Sequence, residues 1–149
     1  MIASGVLVIL IIGIVLIFTL GRNNLKENYN KELIISFQGI DKTDVFSGEV
    51  VLKNNSKKEI IYNLELKDIE NNYLHPNDLI YTVEGIGKGS RNIGNSILPI
   101  NDMAILESIT LEPGITHTYK INIIYQRSDD SNDTNESSFK GILKLNIIE

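Results

Sequence analysis

Two hydrophobic periodicities divide this chain. From Ile2 to Leu20 no side chain is charged, and only Ser4 and Thr19 break an apolar surface that runs all the way round. As a helix, at about 1.5 Å per residue, that stretch reaches roughly 28 Å, close to the ~30 Å hydrocarbon thickness of a bilayer. A helix in the core of a globular domain keeps one polar face, so this pattern predicts a transmembrane helix over residues 1–21. A polar tether follows at 22–30.

After residue 30 the period changes from a continuous run to strict alternation. Ile60, Tyr62, Leu64 and Leu66 alternate with Asn63, Glu65 and Lys67. Tyr119, Ile121, Ile123 and Tyr125 are set against Thr118, Lys120 and Asn122, and Leu143, Leu145 and Ile147 against Lys144 and Asn146. Period two is the signature of a strand with one buried face. Shorter runs of the same kind occupy 33–38, 46–53, 78–84 and 105–111, which makes about seven strands.

Turn formers separate these runs: Gly39 with Asp41, Asn54-Asn55-Ser56, Asn71-Asn72, His75-Pro76-Asn77, the glycine-rich residues 85–94, and Pro113-Gly114. In Glu112-Pro113-Gly114, Pro presets the first central position of a turn and Gly supplies the positive φ of the second. This is type II turn chemistry and predicts a hairpin between 105–111 and 115–125. No amphipathic run after residue 30 is long enough for a stable helix. The expected fold over 31–149 is all-β, a single immunoglobulin-like antiparallel β-sandwich of about seven strands preceded by the N-terminal helix.

Composition narrows the function classes. The formal net charge is −5 and the cations are scattered singly, which argues against nucleic acid. The chain has no cysteine, so disulfides, thiolate nucleophiles and cysteine-ligated zinc are excluded together. The first stretch has no basic residue before it, an apolar core longer than a signal peptide's, and no small-x-small pattern at Phe18-Thr19-Leu20-Gly21. It reads as a retained anchor rather than a cleaved signal. Arg22 and Lys26 pull weakly toward a cytoplasmic C-terminal side by the positive-inside rule.

Candidate sites are sparse. Gly85-Ile86-Gly87-Lys88-Gly89-Ser90 lacks the G-K-[ST] ending of a phosphate loop and the third glycine of a dinucleotide fingerprint, so a flexible inter-strand loop is expected. Asp129, Asp130 and Asp133, in the run from Ser128 to Ser137, have the oxygen-rich spacing of weak calcium candidates. Thr134 stands where an EF-hand loop needs Gly, so a solvated loop is the expectation. His75 and His117 have no carboxylate at metal-ligand spacing, and His117 between two threonines reads as an exposed strand position. Asn54, Asn132 and Asn135 begin glycosylation sequons. No catalytic, cofactor, nucleotide or metal site is assigned.

Residues 111–148 add a likeness. Leu111-Glu112-Pro113-Gly114-Ile115-Thr116-His117-Thr118-Tyr119, an Asp/Asn-rich loop with Asn135, then Phe139-Lys140-Gly141 and a closing alternating strand, resemble the last strands of camelysin-like and biofilm-fibre proteins of Gram-positive bacteria. Residues 77–81 and 99–102 also have counterparts in membrane-anchored surface proteins of low-GC gut bacteria. The resemblance implies an extracytoplasmic β-sandwich at a cell surface, non-catalytic and structural or adhesive, whose partner through Ile2 to Leu20 is the lipid bilayer. The alternative it leaves open is a pilin-like or fibre-forming subunit, assembling through the apolar helix or by strand exchange. The F-S-D element of camelysin-like proteins is not found here, and no catalytic residue is carried over.

Overall fold

The computed structural model describes residues 31–39, 44–126 and 137–148. The predicted transmembrane helix and tether lie outside the described residues, as do Asp129, Asp130 and Asp133 and the sequons at Asn132 and Asn135. Among the described residues no helix is long and apolar enough to cross a membrane.

The alternating runs all form strands. They are β1 (Lys31–Gln38), β2 (Val45–Lys53), β3 (Ile60–Asn71), β4 (Leu79–Ile86), β5 (Ile93–Ile97), β6 (Met103–Leu111), β7 (Thr116–Tyr125) and β8 (Ser138–Ile147), with one 3-10 turn at Pro76–Asp78. They build two antiparallel four-stranded sheets, ordered β1-β8-β3-β6 and β2-β7-β4-β5. The apolar phase of the longer strands turns inward. Ile35, Tyr62, Leu64, Leu66 and Leu143 of the first sheet and Leu52, Leu79, Ile121 and Ile123 of the second join one core.

The expected sandwich class is thus met, and its immunoglobulin-like type is corrected. Eight strands pair as β1 with β8, β2 with β7, β3 with β6 and β4 with β5. That is one long two-stranded ribbon rolled across two sheets, the order of a jelly roll, whereas immunoglobulin sheets run ABED and CFG. Only β4 and β5 form a hairpin; every other connection crosses from one sheet to the other. The Glu112-Pro113-Gly114 turn forms with Gly114 at φ +78° and Ile115 N–H donating to the Glu112 carbonyl at 3.2 Å. It links β6 to β7 across the sandwich, so the expected hairpin there is a sheet-to-sheet corner.

The rolled ribbon sorts the loops. Lys31 pairs with Leu145, and Tyr62 with Ile147, so both ends of the described chain lie at one end of the sandwich. The connections 54–59, 87–92 and 112–115 lie at that same end, termed proximal. Residues 72–78 and 98–102, with Gly39, Asp44, Gln126 and Ser137, lie at the opposite, distal end. Strands of eight to twelve residues, all but the five-residue β5, hold the two ends about 30 Å apart.

Candidate functional site

Three places in the fold gather side chains that chemistry can use. The first is inside, at the proximal end. Tyr62, His117 and Tyr119 are fully buried. The Tyr62 hydroxyl lies 2.6 Å from His117 Nδ1 and 2.8 Å from the Tyr119 hydroxyl, while His117 Nε2 lies 2.7 Å from the Lys88 carbonyl. A carbonyl only accepts, so Nε2 carries the hydrogen, and in the Nε2–H tautomer Nδ1 is the acceptor. Tyr62 then donates to Nδ1, and Tyr119 donates to Tyr62.

His117 is therefore not the exposed strand residue its threonine neighbours suggested. It shares the phase of Tyr119, Ile121 and Ile123, and the strand alternation carries it inward. Burial pushes the phenols of Tyr62 and Tyr119 above the ordinary range. At Tyr119 the backbone and the charge of Arg91 oppose that effect. Phenols that stay protonated keep their O–H donors, and in this buried cluster those donors link the two sheets.

The glycine-rich loop covers this cluster. Gly87 and Gly89 have φ of +121° and +87°, a region open to residues without Cβ. A Cβ on Gly87 would come within 2.2 Å of the Thr116 carbonyl oxygen and 2.9 Å of the His117 ring. Lys88 is tied to both Glu112 carboxylate oxygens at 2.7 and 2.9 Å. This loop is the tip of the β4–β5 hairpin, and its glycines serve close backbone approach.

Beside it, Asn54 is fully buried. Its Nδ2 donates to the Lys58 and Leu111 carbonyls, each at 2.8 Å, and its Oδ1 accepts from Ser56 N–H and Oγ. In the folded domain that amide is committed on both its nitrogen and its oxygen.

The second place is a shallow groove of about 370 Å³ on the outer face of the first sheet, lined by Glu32, Glu65, Asp68, Lys67, Lys144 and Asn146, with Ile142. The register sets Lys144 directly between Glu32 and Glu65. Lys144 Nζ lies 3.1 Å from Glu32, Asn146 donates to Glu65 at 3.0 Å, and Lys67 stands 3.7 Å from Glu65. Glu32 and Glu65 each have a cation or amide beside them, so this part of the groove presents a compensated hydrogen-bonding surface. Among the described residues no cluster of His, Asp or Glu has the arrangement of a metal site.

The third place is the outer face of the second sheet. Strand register aligns Val45, Ile124, Ile80 and Ile97 in one row across all four strands at the distal end. Val45 and Ile97, at its two ends, are 56% and 54% exposed. The parallel rows behind are polar: Ser47 donates to Asn122 at 2.6 Å, and Glu49, Lys120 and Glu84 lie side by side. Leu74 and Ile100, in distal connections, are exposed too.

No family model, curated protein or solved structure matches the chain. Sequence reasoning missed the buried triad and the Asn54 knot. A signal for the first was present: His117 continues the inward alternation of its own strand. Nothing in Asn-Asn-Ser distinguishes a buried bracket from an ordinary turn.

Proposed function

We propose that this protein is a membrane-anchored, extracytoplasmic β-sandwich with a structural or adhesive role at the cell surface, non-catalytic, retained through Ile2 to Leu20. The observation that carries the reading is the position of the chain ends. The described chain begins with Lys31 at the proximal end, so an anchor preceding it leaves the distal loops and the apolar Val45–Ile97 row pointing away from the bilayer. An exposed apolar row with polar rows beside it is the usual mark of a contact surface. The C-terminal side is outside in this reading, against the weak pull of Arg22 and Lys26.

Protease treatment of intact cells tests it. Release of the domain while a cytoplasmic marker stays intact is the expected result; protection of both overturns the orientation.

A second reading is a fibre-forming subunit, and β1 favours it. Among the described residues it is an edge strand paired with β8 alone; it is the first strand after the N-terminal segment in sequence and inserts Leu33, Ile35 and Phe37 into the core. A strand so placed is suited to exchange between copies once cleavage frees the segment before it. Electron microscopy of sheared cell surfaces and mass spectrometry of the mature amino terminus separate the two. Fibres of this chain beginning near β1 favour exchange, and an intact apolar helix without fibres favours the anchor.

A further inference from the structure

We infer that the proximal end of the sandwich is a docking surface for an anionic lipid headgroup layer, an inference that rests on the anchored reading above. The two ends of the domain differ in charge. Among the described residues the distal connections carry Asp44, Asp78 and Asp102 and no lysine or arginine. The proximal connections carry Lys57, Lys58, Lys88 and Arg91, with Lys53 at the adjoining end of β2. Their acids are Glu59 and Glu112, and Glu112 is occupied by Lys88. Lys53, Lys57, Lys58 and Arg91 are exposed. Arg91 Nη2 donates to the Glu107 carbonyl, which holds the guanidinium in place without neutralising it.

Strand order brings these cations together. Lys53 is opposite Thr116, and Thr118 is opposite Ile86, so the end of β2, the start of β7 and the β4–β5 hairpin tip lie side by side. At ~4.8 Å per strand the group spans about 15 Å. The folded hairpin tip and the Asn54 bracket, which fixes residues 54–58, present that group on a rigid end face.

Chain length makes the contact accessible. Nine tether residues, 22–30, reach at most about 30 Å when extended, so the proximal end is never farther than that from the headgroups. Attraction between surface cations and anionic lipid fades within about 8 Å at physiological salt, so a tether alone leaves the domain mostly beyond it. Tethering raises the effective concentration into the millimolar range, enough for a few cations to hold the end face down. Docked in that way, the sandwich stands with its distal row outward.

The test uses the full chain in vesicles. Because the protein has no cysteine, single labels go at Asn55→Cys on the proximal end and at Leu74→Cys on the distal end, with an energy-transfer acceptor in the lipid. In phosphatidylglycerol/phosphatidylcholine vesicles the proximal label is expected to transfer strongly and the distal label weakly. The proximal signal should drop in pure phosphatidylcholine and at high salt, where the screening length falls to about 3 Å. Lys57→Glu with Lys58→Glu, both on an exposed loop, should cut the docked-to-free ratio by on the order of tenfold or more.

If the chain floats with both kinds of vesicle and the proximal signal ignores lipid charge and salt, the docking inference is overturned and anchoring stands. If the distal label is the one that approaches the bilayer, the docking inference is likewise overturned. Proximal contact that depends on protein density rather than lipid charge means that a second copy, not lipid, is the partner, and overturns it too. If the chain floats with neither, the anchored reading fails first.

Discussion

The two halves of the core are built on different principles. At the distal end Phe37 packs against Phe139, with ring centroids 5.3 Å apart and planes 17° from parallel, and also against Phe46 and Tyr73, at 5.7 and 6.2 Å. Tyr73 continues the cluster to Tyr125 at 5.8 Å. At the proximal end the large rings are Tyr62, His117 and Tyr119, joined by hydrogen bonds that run on to the Lys88 carbonyl. Both halves bridge the sheets. The distal half does so by area and shape, which tolerate approximate replacement; the proximal half does so by donors matched to acceptors, which do not.

The contrast can be broken from either side. Phe37→Ala or Phe139→Ala empties the centre of the distal cluster and should lower stability by about 3–5 kcal/mol, read from the denaturant midpoint with an unchanged slope. Phe37→Leu should recover most of that loss. Asn54→Ala strands the Lys58 and Leu111 carbonyls at the proximal end and should cost about 2–4 kcal/mol, although it removes little apolar area. If Asn54→Ala is as mild as a surface substitution, the proximal end is not held by its polar bracket.

Tyr62→Phe sharpens the comparison further, because it deletes one oxygen and leaves the ring. It should cost about 1–3 kcal/mol by leaving His117 Nδ1 without its partner and removing the Tyr119 hydroxyl's bond to Tyr62. The same variant changes the alkaline limb. Tyr62, Tyr81 and Tyr119 have phenol pKa values raised by burial, so their folded forms stay protonated while the unfolded chain ionises near pH 10. A raised folded pKa means stability that is complete below the unfolded value and is lost as pH climbs past it. Each such tyrosine contributes a decline of about 1.4 kcal/mol per pH unit above roughly pH 10. Tyr62→Phe should flatten that decline by one tyrosine's share, measured by urea unfolding at stepped pH. The smallest effect belongs to Lys88→Ala: its ion pair with Glu112 is exposed and should contribute under about 1 kcal/mol.

What the pattern along the chain revealed, and what it hid, follows the same division. Seven of the eight strands were legible because a half-buried strand prints its burial as alternation, as in Ile60-Tyr62-Leu64-Leu66. β5 was not, since IGNSI is a short edge strand whose ends are Ile93 and Ile97 and whose middle is Gly94, Asn95 and Ser96. It sits inside the glycine-rich stretch that reads as loop. Strand order was hidden because alternation reports which face of a strand is buried and not which neighbour it pairs with. Hence Glu112-Pro113-Gly114 was readable as a turn but not as a corner between sheets. The polar bridge was hidden for a related reason: His117 between threonines looks solvated until the phase of the whole strand is followed inward.

Display of the distal end is the claim on which the functional account turns, and the absence of native cysteine gives it a direct measurement. Cells producing the full chain with Leu74→Cys, whose side chain is exposed at the distal end, are treated with a membrane-impermeant maleimide before lysis. The account predicts labelling of intact cells to nearly the extent seen after lysis. Labelling that appears only after lysis contradicts it.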